Sequence, residues 1–291
     1  LEIIKFLQSF SNPFVDYLFQ AITILGEETI YVGAIVILYW CFNKRTAVRF
    51  AFIEIFSMVI NGAIKDTVRA PRPIGTEGIF SLRVETATGY SFPSGHTQGT
   101  ATFWITLMKV CKKSWLYILG PIVIFLVGLS RLYLGVHWPK DVIAGIILGV
   151  ICVFIADKII DLTCKNNDHR YMLILLVPAL LGLIFFPSKD YVKAVATVTG
   201  LYIGYVLENG YIAFNPKAPV TMQMVKVIVG FLGLALLKLS VKLLLPDNNF
   251  KAFTDYFLLG FWIIAGAPYI FVRFGLSESK VLKKSKSSIE A

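Results

Sequence analysis

Charge, histidine and cysteine are all scarce in this sequence. Only 16% of its 291 residues are Asp, Glu, Lys or Arg, against 56% hydrophobic residues, and the mean hydropathy is +0.71. Soluble domains are roughly a quarter charged, so the composition excludes a soluble globular chain. The four cysteines, Cys41, Cys111, Cys152 and Cys164, lie within or at the ends of apolar runs and show no C-x-x-C spacing. They read as small buried hydrophobes, with neither a disulfide framework nor a zinc site signalled. Acidic residues are fewer than basic ones, 18 against 28, which leaves a net charge of +10. The surplus Lys and Arg sit in short loops between apolar runs, which is the positive-inside bias of a membrane protein and not a nucleic-acid footprint. No cleavable signal pattern is present. The chain begins without Met, so trimming at the extreme N-terminus is expected.

Long apolar runs are what the sequence has in abundance. Stretches such as "LYILGPIVIFLVGLS" and "DVIAGIILGVICVFIA" are almost free of charge. At a rise of about 1.5 Å per residue they suit a hydrocarbon layer of about 30 Å. They lack the ten-residue alternation of a transmembrane barrel. The expected fold is therefore all-α, a polytopic transmembrane helical bundle.

Spans are expected at about 29–42, 49–66, 97–111, 115–134, 139–160, 171–186, 191–207, 222–245 and 253–272, with 13–25 a possible tenth. Gly145 with Gly149, and Gly200 with Gly204, are small-residue pairs that favour close helix packing. Alternate loops carry Lys44, Arg45 and Arg49; Lys109, Lys112 and Lys113; and Lys158, Lys165 and Arg170. These belong on the cytoplasmic side. The polar segment 67–93 and the turn at 131–140 then face the opposite side.

Three polar clusters fall on that opposite side: "KDTVRAPRP" (65–73), "PSGH" (93–96) and "SRLYLGVHWPKD" (130–141). Membrane parity allows them to share one pocket. Lys65, Arg72 and Arg131 converging in a partly desolvated site call for a multiply charged anion, and arginine forks suit phosphate oxygens. Gly95 permits close approach of a backbone N–H at the start of a helix, where amide donors are free, and Ser94 adds a hydroxyl. Pro71 and Pro73 restrict the backbone around Arg72. His137 and Asp141 are four apart after Pro139, so they share one helical face. Asp141 can then orient one imidazole nitrogen and leave the other as a nucleophile. His96 is placed to act as general acid. No cluster of carboxylates or soft ligands suggests a metal, and no cofactor motif is present, so the guanidinium groups are left to stabilise transition-state charge.

The order K-x6-R-P, P-S-G-H and S-R-x5-H-x3-D resembles the signature of the type 2 phosphatidic acid phosphatase superfamily. Lys65, Arg72, Pro73, Pro93, Ser94, Gly95, His96, Ser130, Arg131, His137 and Asp141 fill its positions. The resemblance implies a six-helix core and a metal-independent phosphatase. His137 would form a phosphohistidine, Asp141 would partner it, and His96 would act as acid. Lys65, Arg72, Ser94, Gly95 and Arg131 would bind the substrate phosphate.

The longer layout, and "ILGEETIYVGAIVILYWCFNKR" before the first motif, are similar to sphingosine-1-phosphate phosphatases and, more distantly, to glucose-6-phosphatase. The implied organisation is a catalytic core over 1–165, about four additional transmembrane helices over 166–273, and a basic cytoplasmic tail over 274–291. The expected substrate is a phosphorylated lipid, as monoester or diphosphate, met among membrane lipids at the extracytoplasmic face of a bacterial plasma membrane. A soluble sugar phosphate, or lipid-phosphate binding or flipping without turnover, are the alternatives. Vanadium haloperoxidases share the anion pocket but are soluble. His169, Glu208 and Asn209 read as structural, Lys109, Lys112, Lys113 and Lys140 as snorkelling residues, and Trp138 and Tyr133 as interfacial anchors. Arg69 and Arg83 stay unassigned.

Overall fold

The structure, a computed structural model, describes residues 1–279. Twelve α-helices follow one another among these residues: α1 (Glu2–Gln8), α2 (Pro13–Ile24), α3 (Glu28–Ile37), α4 (Lys44–Val68), α5 (Gly95–Cys111), α6 (Leu116–Tyr133), α7 (Pro139–Asn166), α8 (Leu173–Gly182), α9 (Lys189–Leu207), α10 (Val220–Leu244), α11 (Asn249–Phe261) and α12 (Ala267–Arg273). Among the described residues there is no strand, only one isolated antiparallel bridge between Phe214 and Ser279. The expected basic tail lies, from residue 280 onward, outside the described residues.

Among the described residues, five helical stretches are long and apolar enough to cross a membrane: Lys44–Val68, Leu116–Tyr133, Pro139–Asn166, Val220–Leu244 and Asn249–Arg273. A sixth arises if Pro13–Ile24 and Glu28–Phe42, bent by 42° at a short break, count as one span. The sequence led to an expectation of nine or ten, and the difference has local causes. The α5 helix is 17 residues long and opens with Gly, His, Thr and Gln. The α9 helix begins with Lys189, Asp190 and Lys193, while His169–Gly182 is a shorter apolar helix. Lipid-facing character is plain on α7. Ile143, Ile147, Ile151 and Ile155 form a stripe at four-residue spacing, and each is roughly half exposed.

The chain divides into two compact units. The first comprises Leu1–Val32, Phe56–Lys158 and Ile184–Tyr191. In it α5 packs along α6, and α1 and α2 pack on α6 as well. Tyr133 is fully buried, stacks on Phe19 at 4.2 Å and bonds Asp16, so it is a core residue and not the interfacial anchor expected. The α5–α7 crossing is tight because it is lined with glycine. A Cβ on Gly145 would lie 2.8 Å from the Ser94 carbonyl, and one on Gly149 would lie 2.9 Å from Ala101.

The second unit comprises 33–55, 159–183 and the chain from Val192. Three π-helical turns occur in it, Leu38–Phe42, Glu208–Ile212 and Trp262–Gly266. A π turn displaces carbonyls from their α-helical partners, and buried side chains take them up. Tyr39 Oη donates to the Ile264 carbonyl at 3.0 Å, and Trp40 Nε1 donates to that of Ile263 at 2.9 Å. Lys226, wholly buried, donates to the carbonyls of Trp40 and Pro216 at 2.8 Å each. Gly200 and Gly204 admit α11 and the π turn after it against α9.

Candidate active site

All eight expected site residues fall in the first unit. Lys65 lies in the last turn of α4, Ser94 is the N-cap of α5, and Gly95 and His96 open α5. Arg131 lies in the last turn of α6, and Asp141 in the first turn of α7. Arg72 and His137 stand in the connecting segments.

The turn that carries His137 is built locally. Pro139 starts α7, and Asp141 Oδ2 reaches back to accept from the Trp138 amide at 2.8 Å, half of a capping box. Gly135 adopts a φ of +63°, and a side chain there would collide with the Phe80 carbonyl. Trp138 Nε1 donates to the Pro71 carbonyl at 3.0 Å, and Leu82 N to that of Leu134 at 3.0 Å. These contacts pin the segment between α4 and α5 to the turn before α7. The Ser94 amide donates to the Asp141 carbonyl at 3.0 Å, which holds the start of α5 on the start of α7.

Arg72 lies across the site. Its guanidinium donates to the carbonyls of Thr88 (2.6 Å), Gly89 (3.0 Å), Tyr90 (3.2 Å) and Val136 (2.9 Å), and its Nη1 is 3.0 Å from His137 Nε2. Guanidinium is a donor only, so His137 Nε2 accepts in this contact and the ring proton resides on Nδ1. Burial, followed by the charges of Arg72, Arg131 and Lys65, holds the His137 imidazole well below its usual pKa. The ring is therefore neutral, with its Nε2 lone pair turned toward the cationic pocket.

His137 Nδ1 lies 3.5 Å from Asp141 Oδ2, longer than a hydrogen bond. Ser91 occupies the gap. Its hydroxyl donates to Asp141 Oδ2 at 2.5 Å and lies 3.4 Å from His137 Nδ1. Ser91 was not expected from the sequence, although it stands three residues before Ser94 in the same polar knot.

Arg131 is fully buried and makes a single hydrogen bond, from Nη1 to Thr23 Oγ1 at 2.9 Å. Its Nε and Nη2 have no partner, and neither does His96 Nε2. Such orphans are rare in a buried site and call for an occupant. Charges on Arg131, Arg72 and Lys65 act on both imidazoles, and His137 acts on His96, so the five groups lie within electrostatic range of one another. An added Cβ on Gly95 would stand 4.0 Å from Lys65 Nζ, which leaves that ammonium access to the start of α5. Behind the cradle, Asn61 donates to Gln98 at 2.8 Å and Gln98 to the Ser57 carbonyl at 2.8 Å. That network is buried and ties α4 to α5.

Arg83 pairs with Glu27 at 2.6 Å, and Arg69 Nε donates to the Asp66 carbonyl at 2.9 Å, so both are structural. His169 is elsewhere: in the second unit it borders a cavity of about 690 Å³, also lined by Tyr39, Lys44, Arg45, Tyr205 and Glu208. Among the described residues, no three His, Cys, Asp or Glu side chains converge as metal donors.

The model of the PAP2 superfamily matches residues 46–161, and that of the PAP2 superfamily phosphatase transmembrane extension matches residues 192–279. The chain is 32% identical over 135 residues to an undecaprenyl-diphosphatase of Sulfolobus acidocaldarius, covering 46% of this chain and 65% of that protein. It is 29% identical over 189 residues to sphingosine-1-phosphate phosphatase 1 of Rattus norvegicus, covering 62% of this chain and 44% of the relative. With human sphingosine-1-phosphate phosphatase 2 it shares 26% identity over 254 residues, 80% of this chain and 63% of the relative. In each case the match spans less than two thirds of the relative's length.

Proposed function

We propose, from the premise that this chain belongs to the PAP2 superfamily, that it is an integral membrane phosphatase that hydrolyses a lipid phosphate ester through a phosphohistidine. One observation carries the reading. Buried, unpartnered nitrogens of Arg131 and His96 lie within electrostatic range of His137, whose Nε2 accepts from the Arg72 guanidinium. A tetrahedral anion supplies what those nitrogens lack.

In the first step His137 Nε2 attacks phosphorus. The P–O bond to the lipid breaks, and His96 gives its proton to the leaving oxygen. Substrate charge favours the imidazolium form of His96 needed for this, because a phosphate dianion offsets the surrounding cations. Asp141, seconded by the Ser91 hydroxyl, faces the positive charge that develops on His137. Arg72, Arg131 and Lys65, with Ser94 and the backbone at Gly95, hold the equatorial oxygens as they gain charge. In the second step neutral His96 takes a proton from water, water attacks the phosphohistidine, the P–N bond breaks, and inorganic phosphate leaves.

No metal takes part in this scheme. Residues 1–165 act as the catalytic core, and 166–273 add transmembrane helices. The count of loop cations supports an extracytoplasmic site. The test is phosphate release from lipid phosphates by purified protein. Wild type is expected to turn over in the presence of a chelator, and His137→Ala is expected to stay folded and release none. Undiminished release by His137→Ala overturns the mechanism.

A further inference from the structure

The first turn of α9 brings a carboxylate to the phosphate pocket that the three motifs do not contain. The Ser188 amide donates to Asp66 Oδ2 at 3.1 Å and fixes the start of α9 against the end of α4. Two residues on, Asp190 Oδ2 lies 3.9 Å from Lys65 Nζ and accepts from Thr88 Oγ1 at 3.2 Å. It also abuts Gly89, where a Cβ would stand 3.2 Å away. Thr88, Gly89 and Tyr90 are the residues whose carbonyls hold Arg72. Asp190 therefore stands beside both motif cations from the first cluster, and its charge is felt by each. The Asp190 side chain keeps 33% of its exposure while that of Lys65 keeps 10%. The carboxylate is thus the more open of the two groups.

A fixed negative charge at that place sorts substrates by the group they carry beyond the first phosphoryl. A second phosphate would meet the carboxylate at close range and be repelled, in a setting where partial burial limits screening. An ammonium a few bonds from the ester oxygen would meet a counter-ion. A neutral lipid monophosphate gains nothing and loses nothing. We propose that Asp190 is a specificity-determining residue that favours lipid monophosphates bearing a nearby ammonium and disfavours diphosphates. This rests on the phosphatase reading above.

The test compares kcat/KM for three probes: sphingosine-1-phosphate, its N-acetylated derivative and farnesyl diphosphate. Wild type is expected to prefer the free amine over the N-acetyl compound, and over the diphosphate, by about tenfold or more. In Asp190→Asn, which keeps the shape and removes the charge, the amine preference vanishes and the diphosphate gains about tenfold relative to the monophosphates. Thr88→Val loosens the carboxylate without removing its charge, and it shifts the same ratios in the same direction by less. That variant decides the matter if Asp190→Asn fails to fold. Equal scaling of all three probes in either variant makes Asp190 a positioning residue for Lys65 and overturns the proposal. Phosphate release from none of the probes by wild type overturns the phosphatase reading itself. Release with ratios insensitive to Asp190 overturns the specificity assignment alone.

Discussion

The two units bury ionisable side chains in different ways, and the contrast separates chemistry from architecture. In the second unit Lys226 is wholly buried and gives its protons to two carbonyls at 2.8 Å. Glu208 is buried as well and accepts from Lys44 at 2.7 Å and from the Phe214 amide at 3.0 Å. The unpartnered atoms Gln223 Oε1 and Asp255 Oδ1 stand on different helices, α10 and α11. In the first unit the orphans belong to His96, Arg131 and Asp141, all three of them residues of the candidate site. Burial with every proton placed reads as structure; burial with donors and an acceptor left over in one spot reads as a binding site.

Exchanging one buried cation from each unit tests this contrast most severely. Arg131→Met removes a group with donors to spare and is expected to lower kcat/KM about 10²–10³-fold, since it deletes a fixed donor for transition-state charge. Its thermal midpoint should stay near wild type. Lys226→Met should behave in the opposite way. The Trp40 and Pro216 carbonyls lose their partner, which costs about 2 kcal/mol of stability, while kcat/KM of the folded fraction stays level. A Lys226→Met protein that is fully stable but inactive would erase the distinction.

Ser91→Ala probes a finer point within the first unit. The Ser91 hydroxyl bridges Asp141 and His137, and its loss should reduce kcat about tenfold, the worth of one charge-assisted hydrogen bond. If His137 carries the phosphoryl group as proposed, loss of the hydroxyl should slow one of the two half-reactions more than the other. Single-turnover kinetics that separate phosphorylation from water attack therefore check the assignment.

Much of this candidate site was legible in the sequence because it is written in residues that membrane proteins otherwise avoid. Lys65, Arg72, His96, Arg131, His137 and Asp141 stood out against apolar runs, and helix parity gave them a common side. Ser91, Thr23 and Asp190 were missed for physical reasons. A serine or threonine hydroxyl carries no periodic signal, and Thr23 reaches Arg131 across 108 positions of chain. Asp190 did leave a trace, since "PSKD" falls between two spans on the same side as the motifs.

The fold was legible as helical and membrane-spanning, yet its details were less so. Apolar length does not reveal the 42° bend between α2 and α3, or three π turns whose carbonyls depend on residues such as Lys226 far along the chain. Nor does it show that Tyr133 sits in the core, because aromatic residues near span ends serve both purposes.

Covalent capture tests the central claim most directly. Wild-type protein mixed with lipid substrate labelled at phosphorus and quenched within one turnover should carry label on His137, lost in acid and retained in base, as a phosphoramidate requires. His137→Ala should carry none. Label on another side chain, or turnover by the wild type with no labelled protein at any quench time, contradicts the account.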